Sequence, residues 1–157
     1  INPVACKIGP STSAEELVDL CRVLDPGRDP GRLTLIARMG ADAATEVLPG
    51  LVTAVREAGH PVIWLSDPMH GNTVTTRDGA KTRFLATMKR ELRAFQRAVR
   101  AAAGYPGGLH LETTPDEVLE CVADGASADE LGDKYTSLCD PRLNPMQAVT
   151  VVSVWGG

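Results

Sequence analysis

The sequence predicts an α/β fold made of four strand-helix units. Short apolar runs recur along the chain, longer segments with helical spacing separate them, and glycine, proline or aspartate residues mark the junctions. Strands that alternate with longer helices are typical of a parallel sheet. Because no linker or internal repeat divides the pattern, we expect residues 1–157 to form a single domain.

Apolar runs and helix-capping residues predict the first strand-helix unit and the second strand. Val4–Ile8 and Leu33–Ala37 are short apolar runs that predict strands. Ser13 offers an N-cap side chain, and Glu15 places negative charge in the first turn of a helix that reaches about Leu24. Both features stabilise the N-terminus of a helix, so the segment between the two strands is predicted to be helical.

The later elements repeat this order of strand and helix. The predicted strands are 61–66 and 109–111, and the predicted helices run over about 42–57, 81–103, 116–122 and 145–154. A polar loop, 67–79, separates the third strand from the long helix.

Polar residues at the strand ends distinguish two architectures for four such units. An open α/β sheet gathers its ligand groups in one crevice, whereas a (β/α)8 (TIM) barrel collects them from all its strand ends. Here polar groups lie at or near the end of every predicted strand: Lys7, Arg38, Asp67–Asn72, and His110 with Glu112. A whole barrel needs about 250 residues. The sequence therefore favours half of a (β/α)8 barrel over a small open sheet.

Composition and charge exclude several classes of protein. The chain is 43% hydrophobic and 23% charged, and it contains no apolar run long enough for a transmembrane helix. A net charge of −4 argues against a nucleic-acid-binding protein, which normally presents a basic face. The four cysteines form no CxxC pair, and we interpret them as reduced thiols of a cytoplasmic protein.

Three residues are candidate metal ligands. His70 follows the third predicted strand, Glu112 follows the fourth, and Asp140 lies in a later loop. One imidazole and two carboxylates suit Mn²⁺, Fe²⁺, Co²⁺ or Zn²⁺ better than an all-oxygen Mg²⁺ or Ca²⁺ site. The alternative interpretation is that each side chain caps a turn in its own loop, and spacing alone does not exclude it.

Two cations are candidate anion-binding residues. Lys7 lies inside an apolar strand, where an unpaired charge is costly, and Arg38 directly follows the next strand. The planar guanidinium of Arg38 suits bidentate binding of phosphate or carboxylate. Structural ion pairs are an equally good explanation of both residues, and they are the favoured explanation of Arg83 and Arg142.

Six ordered segments resemble motifs of the class II (plant-type) 3-deoxy-D-arabino-heptulosonate 7-phosphate (DAHP) synthases. They cover almost the whole chain and comprise residues 2–10, 30–40, 62–73, 81–83, 106–112, and Tyr135 with 139–144. The resemblance implies a (β/α)8 barrel that joins phosphoenolpyruvate to erythrose 4-phosphate and releases phosphate, the first step of the shikimate pathway to aromatic amino acids. It also implies that this chain is the C-terminal half of that barrel, from the fifth strand onward.

The resemblance assigns roles to particular residues. His70, Glu112 and Asp140 match the family's metal ligands, and Lys7 and Arg38 match positions that bind phosphoenolpyruvate. His70 would also touch this substrate's neighbourhood, so Lys7 and His70 are the expected catalytic residues. Mn²⁺ or Co²⁺ is the expected metal, with Fe²⁺ and Zn²⁺ as alternatives. Asp67 is expected in the pocket wall.

Several parts of the family's site would lie in the other half of the barrel. These are a cysteine metal ligand, further arginines for phosphoenolpyruvate and much of the erythrose 4-phosphate site. We therefore expect an N-terminal half or a second chain as partner, and an oligomer. Cys139, next to Asp140, is a hypothetical thiol ligand or oxidation site, whereas Cys6 and Lys7 should point to opposite faces of their strand.

Three alternatives remain open at this stage. The chain could belong to a secondary-metabolism variant that uses another sugar phosphate acceptor. It could be a non-catalytic half barrel that serves as a binding or regulatory partner, although the five retained site residues argue against this. It could also be a small open-sheet binding domain, which would be a compact monomer.

Overall fold

A computed structural model describes residues 2–131 and 134–155 of the chain. The strands within these residues are β1 (Val4–Ile8), β2 (Leu33–Ala37), β3 (Ile63–Ser66), β4 (Thr73–Thr75), β5 (Lys81–Arg83) and β6 (Pro106–Leu109). The α-helices are α1 (Ala14–Leu24), α2 (Ala43–Glu46), α3 (Leu48–Glu57), α4 (Leu85–Ala101) and α5 (Pro145–Val152), and a 3₁₀ helix covers Gly125–Glu130.

Four parallel strands form the main sheet in the order β1-β2-β3-β6. Within this sheet the spatial order of the strands follows their order along the chain, with β4 and β5 in a separate hairpin, so the winding never reverses direction. Connections between parallel strands are almost always right-handed, and an unreversed order therefore places the connecting helices on one face of the sheet. The α/β prediction is confirmed, and this arrangement is compatible with part of a barrel.

The two faces of the sheet have different surroundings. Leu35 and Trp64 lie on the face that packs against the helices, in a core with Leu17, Val52 and Phe95. The strand register places Lys7 on the opposite face beside Ile36. Ile63 also lies on that face and is exposed. One face of the sheet thus carries the apolar core, and the other presents the side chain of Lys7.

The predicted helix over 42–57 is two helices, α2 and α3, that meet at Val47. Pro49 lies in the first turn of α3. A proline lacks the amide hydrogen that a continuous helix requires, and its ring clashes with the carbonyl group one turn earlier. The first turn of a new helix tolerates it, because the amide groups there have no partner within the helix.

The predicted start of the long helix at Lys81 is wrong, because residues 81–83 form β5. This strand pairs antiparallel with β4, which lies in the segment predicted as a loop. Gly79 adopts a φ of 84° in the connecting turn, a conformation that glycine accepts without steric cost. The buried Thr82 hydroxyl donates to the Glu120 carbonyl at 2.9 Å, so the hairpin is held by a distant segment.

The segment from 116 to 122 is irregular, so the predicted helix there is also wrong. Its backbone groups bind elsewhere: the Val118 carbonyl accepts from Asn144 Nδ2, and the Val122 amide donates to the Arg83 carbonyl. A helix would have needed these groups for its own hydrogen bonds. The fourth parallel strand also lies slightly earlier than predicted, at Pro106–Leu109.

The predictions for the two terminal helices are confirmed. Ser13 caps α1 and shares a reciprocal capping box with Glu16, and Asn144 does the same for α5 with Gln147. All four cysteines are free thiols. Within the part of the chain that the structure describes, no helix is long and apolar enough to cross a membrane.

Gly71 allows the loops after β2 and β3 to touch, and replacing it should destabilise the protein. A Cβ atom at position 71 would lie 2.5 Å from the Gly40 nitrogen, which is a backbone atom and cannot rotate away. We expect Gly71→Ala to lower the free energy of unfolding by about 2 kcal/mol, measured by urea denaturation.

Gly50→Ala is the matched control. No atom lies within 4 Å of a Cβ atom at position 50, and this glycine is within α3. Alanine there should raise the free energy of unfolding by about 0.5–1 kcal/mol through helix propensity. An equal effect of both substitutions would contradict the close approach of the two loops.

Candidate active site

The carboxyl ends of the four parallel strands bring the predicted site residues to one edge of the sheet. Lys7 lies on β1, and Arg38, Asp67 and His110 each directly follow a strand. Side chains from all four strands therefore surround one space, and the loop before α5 adds a further carboxylate. The residues at this edge are Lys7, Arg38, Asp67, His70, His110, Glu112 and Asp140.

Asp67 joins Lys7 to His70 through one buried carboxylate. Its Oδ2 atom lies 2.9 Å from Lys7 Nζ and 2.7 Å from His70 Nδ1, and its Oδ1 atom accepts from the Met69 and His70 amides. Burial alone would raise the pKa of Asp67, but the hydrogen bonds from Lys7 and from the backbone outweigh burial and lower it. Asp67 therefore stays ionised and holds both partners in place.

His70, Glu112 and Asp140 form a group that we name the ligand cluster. One possible ligand atom from each residue lies within 4.8 Å of the others. When the Nδ1 hydrogen of His70 points to Asp67, the free electron pair on Nε2 faces Glu112 Oε1, 3.1 Å away. Two such atoms repel each other unless a proton or a metal ion lies between them. A histidine oriented by a carboxylate is the usual arrangement at metal sites, and these donors fit a divalent cation.

Arg83 and Lys81 offset the negative charge of the ligand cluster. Arg83 is fully buried, and its Nη1 atom lies 2.5 Å from Glu112 Oε2, while Lys81 Nζ lies 3.2 Å from Asp140 Oδ1. The hydrogen bond from Lys81 lowers the pKa of Asp140. The predicted ion pair of Arg83 exists, and its partner is a member of the cluster.

Arg38 differs from the other cations of this edge. Among the described residues it forms no ion pair, and its Nη2 atom donates to the His70 carbonyl at 3.3 Å. A Cβ atom at Gly9 would lie 3.2 Å from Arg38 Nη1, so this glycine leaves room for the guanidinium group. The structural ion pair that was the alternative explanation is absent from the described part of the chain, and the charge of Arg38 is available to an anion.

Glu120 holds the loop that carries Asp140. Its two oxygens accept hydrogen bonds from the Arg142 side chain at 2.7 and 3.0 Å, and from the amides of Thr136, Ser137 and Arg142. Burial raises the pKa of Glu120, but the bonds from Arg142 and the backbone outweigh it, and the pKa falls to about 2. The predicted ion pair of Arg142 therefore fixes the loop from 134 to 142.

Sequence reasoning missed the positions of Lys81 and Glu91. Lys81, Thr82 and Arg83 are all polar, so no apolar alternation distinguished this strand from the helical pattern that follows it. Glu91 lies on the apolar side of α4 next to Leu92, where a charged residue is unexpected. Cys139 is exposed and is not a member of the ligand cluster, so the hypothesis that it supplies a thiol ligand has no support in this arrangement.

Comparisons with known proteins agree with this picture. Residues 1–154 match the class-II DAHP synthetase family. The chain is 59% identical over 155 residues to a probable phospho-2-dehydro-3-deoxyheptonate aldolase of Pseudomonas fluorescens, with 99% of this chain and 39% of that protein covered. It is 45% identical to phospho-2-dehydro-3-deoxyheptonate aldolases of Streptomyces coelicolor and Neurospora crassa, with 94% of this chain and 33% and 32% of those proteins covered. The chain thus spans about a third of the length of the curated relatives it matches.

Removing the charge of Glu120 should destabilise the protein and change its response to acid. We expect Glu120→Gln to lower the free energy of unfolding by about 3 kcal/mol at pH 7, because Arg142 loses its buried partner. The folded pKa of about 2 lies below the ordinary value of 4.5, so this stabilisation is complete above pH 4.5 and is lost as the pH falls toward 2.

Urea denaturation between pH 7 and pH 2 measures both effects. The variant should show a weaker loss of stability across the acid range than the unaltered protein. Asp19→Asn is the control, because Asp19 forms an exposed ion pair with Arg22 that is worth less than about 1 kcal/mol. Parallel pH profiles for the unaltered protein and Glu120→Gln would show that Glu120 is not the acid-sensitive group.

Proposed function

Since the chain belongs to the class-II DAHP synthetase family, we propose that it supplies the C-terminal half of a DAHP synthase active site. The reaction joins phosphoenolpyruvate to erythrose 4-phosphate and yields DAHP and phosphate. One observation carries the proposal: the ligand cluster lies close to Lys7 and to Arg38, which forms no ion pair among the described residues. Cation-binding and anion-binding groups thus share one edge of the sheet.

In this proposal Arg38 and Lys7 bind phosphoenolpyruvate. This substrate carries a phosphate and a carboxylate, and Arg38 has no competing carboxylate among the described residues. Lys7 is paired with Asp67, and 37% of its side chain is exposed, so its Nζ atom can donate to a second acceptor. Two fixed cations would offset the charge of the substrate and hold its reacting carbon in place.

His70, Glu112 and Asp140 would hold a divalent cation, with Mn²⁺ or Co²⁺ as the expected ions. When bound, such a cation supplies a Lewis acid for the aldehyde carbonyl of erythrose 4-phosphate. Asp67 keeps the proton of His70 on Nδ1 and thereby directs Nε2 toward the cluster. Arg83 and Lys81 restrain the two carboxylates, so little reorganisation is needed when the cation arrives.

The remaining chemistry is assigned to groups close to Lys7. A bond forms between the alkene carbon of phosphoenolpyruvate and the aldehyde carbon, water adds to the carbon that bears the phosphate, and inorganic phosphate leaves. We propose that Lys7 Nζ orients this water and that His70 is its catalytic neighbour, 3.3 Å away at Nδ1. Asp67 fixes both side chains from the buried side.

We propose that the four-stranded sheet forms a (β/α)8 barrel together with another half, and that its open face becomes part of the barrel interior. Helices α1, α3 and α4 pack on the face with Leu35 and Trp64, and among the described residues β1 and β6 are the outer strands of the four-stranded sheet, each with one unpaired edge. The relatives are about three times as long as the matched region, so they contain ample sequence for the missing strands. An N-terminal half or a second copy of this chain is the proposed partner, and an oligomer is the proposed active form.

Metal binding by the ligand cluster can be tested on the chain itself. Titration with Mn²⁺, followed by electron paramagnetic resonance, should show one site. We expect His70→Ala and Asp140→Asn to weaken Mn²⁺ binding at least about tenfold, because each removes a ligand. Asp42→Asn is the control, since this exposed carboxylate pairs with Arg90 outside the cluster. Equal affinities for all four proteins would contradict the metal site.

Turnover tests the proposed reaction. Consumption of phosphoenolpyruvate is followed by ultraviolet absorbance with Mn²⁺ and erythrose 4-phosphate, first with the chain alone and then with the N-terminal part of the Pseudomonas fluorescens relative. Turnover by the chain alone would indicate that two copies complete the site, and turnover only in the mixture would indicate a half enzyme. Arg38→Gln should raise KM for phosphoenolpyruvate by at least about tenfold through loss of a charged hydrogen bond.

The same assay can overturn the proposal. If neither preparation consumes phosphoenolpyruvate, the chain is not half of this catalytic site. A non-catalytic half barrel that binds a partner would then explain the retained residues better, as would an enzyme that uses another acceptor.

A further inference from the structure

The carboxylate of Glu91 is buried on α4, among apolar side chains of the helix. It is 1% exposed, and its neighbours along the same side of the helix include Met88, Leu92 and Phe95. A buried charge is costly unless hydrogen bonds replace its hydration. A glutamate at this position therefore needs partners from outside its own helix.

Those partners come from two loops of the candidate active site. Glu91 Oε1 accepts from the amides of Met39 and Gly40 at 3.1 and 3.0 Å, directly after Arg38. Glu91 Oε2 accepts from Asn72 Nδ2 at 2.5 Å, two residues after His70. One oxygen thus holds the loop after β2, and the other holds the loop after β3.

The two loops are also in direct contact with each other. The backbone of Gly71 approaches that of Gly40 so closely that a Cβ atom would lie 2.5 Å from the Gly40 nitrogen. Arg38 Nη2 reaches the His70 carbonyl at 3.3 Å. The two loops are therefore packed against each other, and Glu91 ties both of them to α4.

The raised pKa of Glu91 indicates that burying its charged carboxylate is energetically costly. Burial raises the pKa of Glu91 to about 7, and the bonds from Asn72, Gly40 and Met39 lower it only in part. The same donors face the carboxylate from both loops, and the nearby charge of Asp67 raises the pKa further. An apolar residue would fit the helix at less cost, but it would leave the two backbone amides without a partner.

We infer that Glu91 is a positioning residue that fixes Arg38 relative to His70, and that it thereby couples the binding of phosphoenolpyruvate to the binding of the divalent cation. This inference rests on the proposed function for its ligands. Phosphoenolpyruvate binds Arg38 in the loop after β2, and the cation binds His70 in the loop after β3. Binding of the first ligand orders both loops and thereby prepares the site of the second. Coupling of this kind is reciprocal, so each ligand should tighten the other by the same factor.

Two variants distinguish the roles of the two carboxylate oxygens of Glu91. Glu91→Gln keeps one oxygen that accepts from the Met39 and Gly40 amides, but its amide nitrogen then faces Asn72 Nδ2. Both nitrogens are donors, and Asn72 cannot easily turn away because its Nδ2 also donates to the Pro68 carbonyl at 2.7 Å. Glu91→Leu removes both acceptors. Val99→Ala is the matched control, because Val99 is fully buried on the same helix, in the core that contains Leu35 and Trp64, and its side chain has no polar group that could bind either loop.

The experiment measures Mn²⁺ affinity with and without phosphoenolpyruvate, phosphoenolpyruvate affinity with Mn²⁺, and thermal stability. Unaltered protein should bind Mn²⁺ more tightly when phosphoenolpyruvate is present. Glu91→Leu should weaken each ligand about tenfold and bring the coupling factor close to one, and Glu91→Gln should have a smaller effect in the same direction. Val99→Ala should lower the melting temperature while it leaves the coupling factor unchanged.

Hydrogen exchange of the Met39 and Gly40 amides gives a readout that needs no ligand. Both amides should be protected in the unaltered protein and should exchange faster in Glu91→Leu than in Val99→Ala. If the unaltered protein binds Mn²⁺ but does not bind phosphoenolpyruvate even when mixed with the N-terminal part of the Pseudomonas fluorescens relative, the proposed function fails. Mn²⁺ affinity and amide exchange then still decide the role of Glu91. If Glu91→Leu leaves amide exchange and the coupling factor unchanged and only lowers the melting temperature as Val99→Ala does, the inference is contradicted. Glu91 would then contribute only to packing of the core.

Discussion

The ion pair network around the buried Asp67 carboxylate is the interaction on which the candidate site depends. One oxygen binds Lys7 from β1 and His70 from the loop after β3, and the other accepts two backbone amides of that loop. Two strands that are not adjacent in the sheet are thereby joined across β2. Without this carboxylate, Lys7 would carry an unpaired charge and His70 would lack the partner that orients its ring.

Two further buried carboxylates also hold loops of the site. Glu91 ties the loops after β2 and β3 to α4, and Glu120 holds the loop that brings Asp140 to the cluster. Each acid is buried, and each accepts backbone amides in place of water. Irregular loops have few internal hydrogen bonds, so a carboxylate with several donors can fix a loop that lacks regular structure. Three buried acids thus hold the loops that carry the site residues through hydrogen bonds to their backbone amides.

The one-sided packing of the sheet explains why the site is open. Unreversed strand order places the helices on one face, where Leu35 and Trp64 are buried, and it leaves Lys7 on the face without helices. The same geometry gives the sheet two free edges. The chain matches about a third of the length of its curated relatives, and in the proposed barrel the other half would pair with these edges and enclose the face that carries Lys7.

Local sequence determined the parallel strands, the capped helices α1 and α5, and the residue types of the site, because apolar periodicity, N-caps and polar residues at strand ends act within a few residues. It could not place Lys81–Arg83 in a strand or leave 116–122 irregular, since both depend on hydrogen bonds to segments far along the chain, such as Thr82 to Glu120 and Asn144 to Val118. The resemblance to a family indicated the cluster of His70, Glu112 and Asp140, and only the fold brought these three side chains together. The partners of Arg83, Glu91 and Glu120 were decided by tertiary structure alone, because the effect of a buried charge depends on the groups that surround it in the fold.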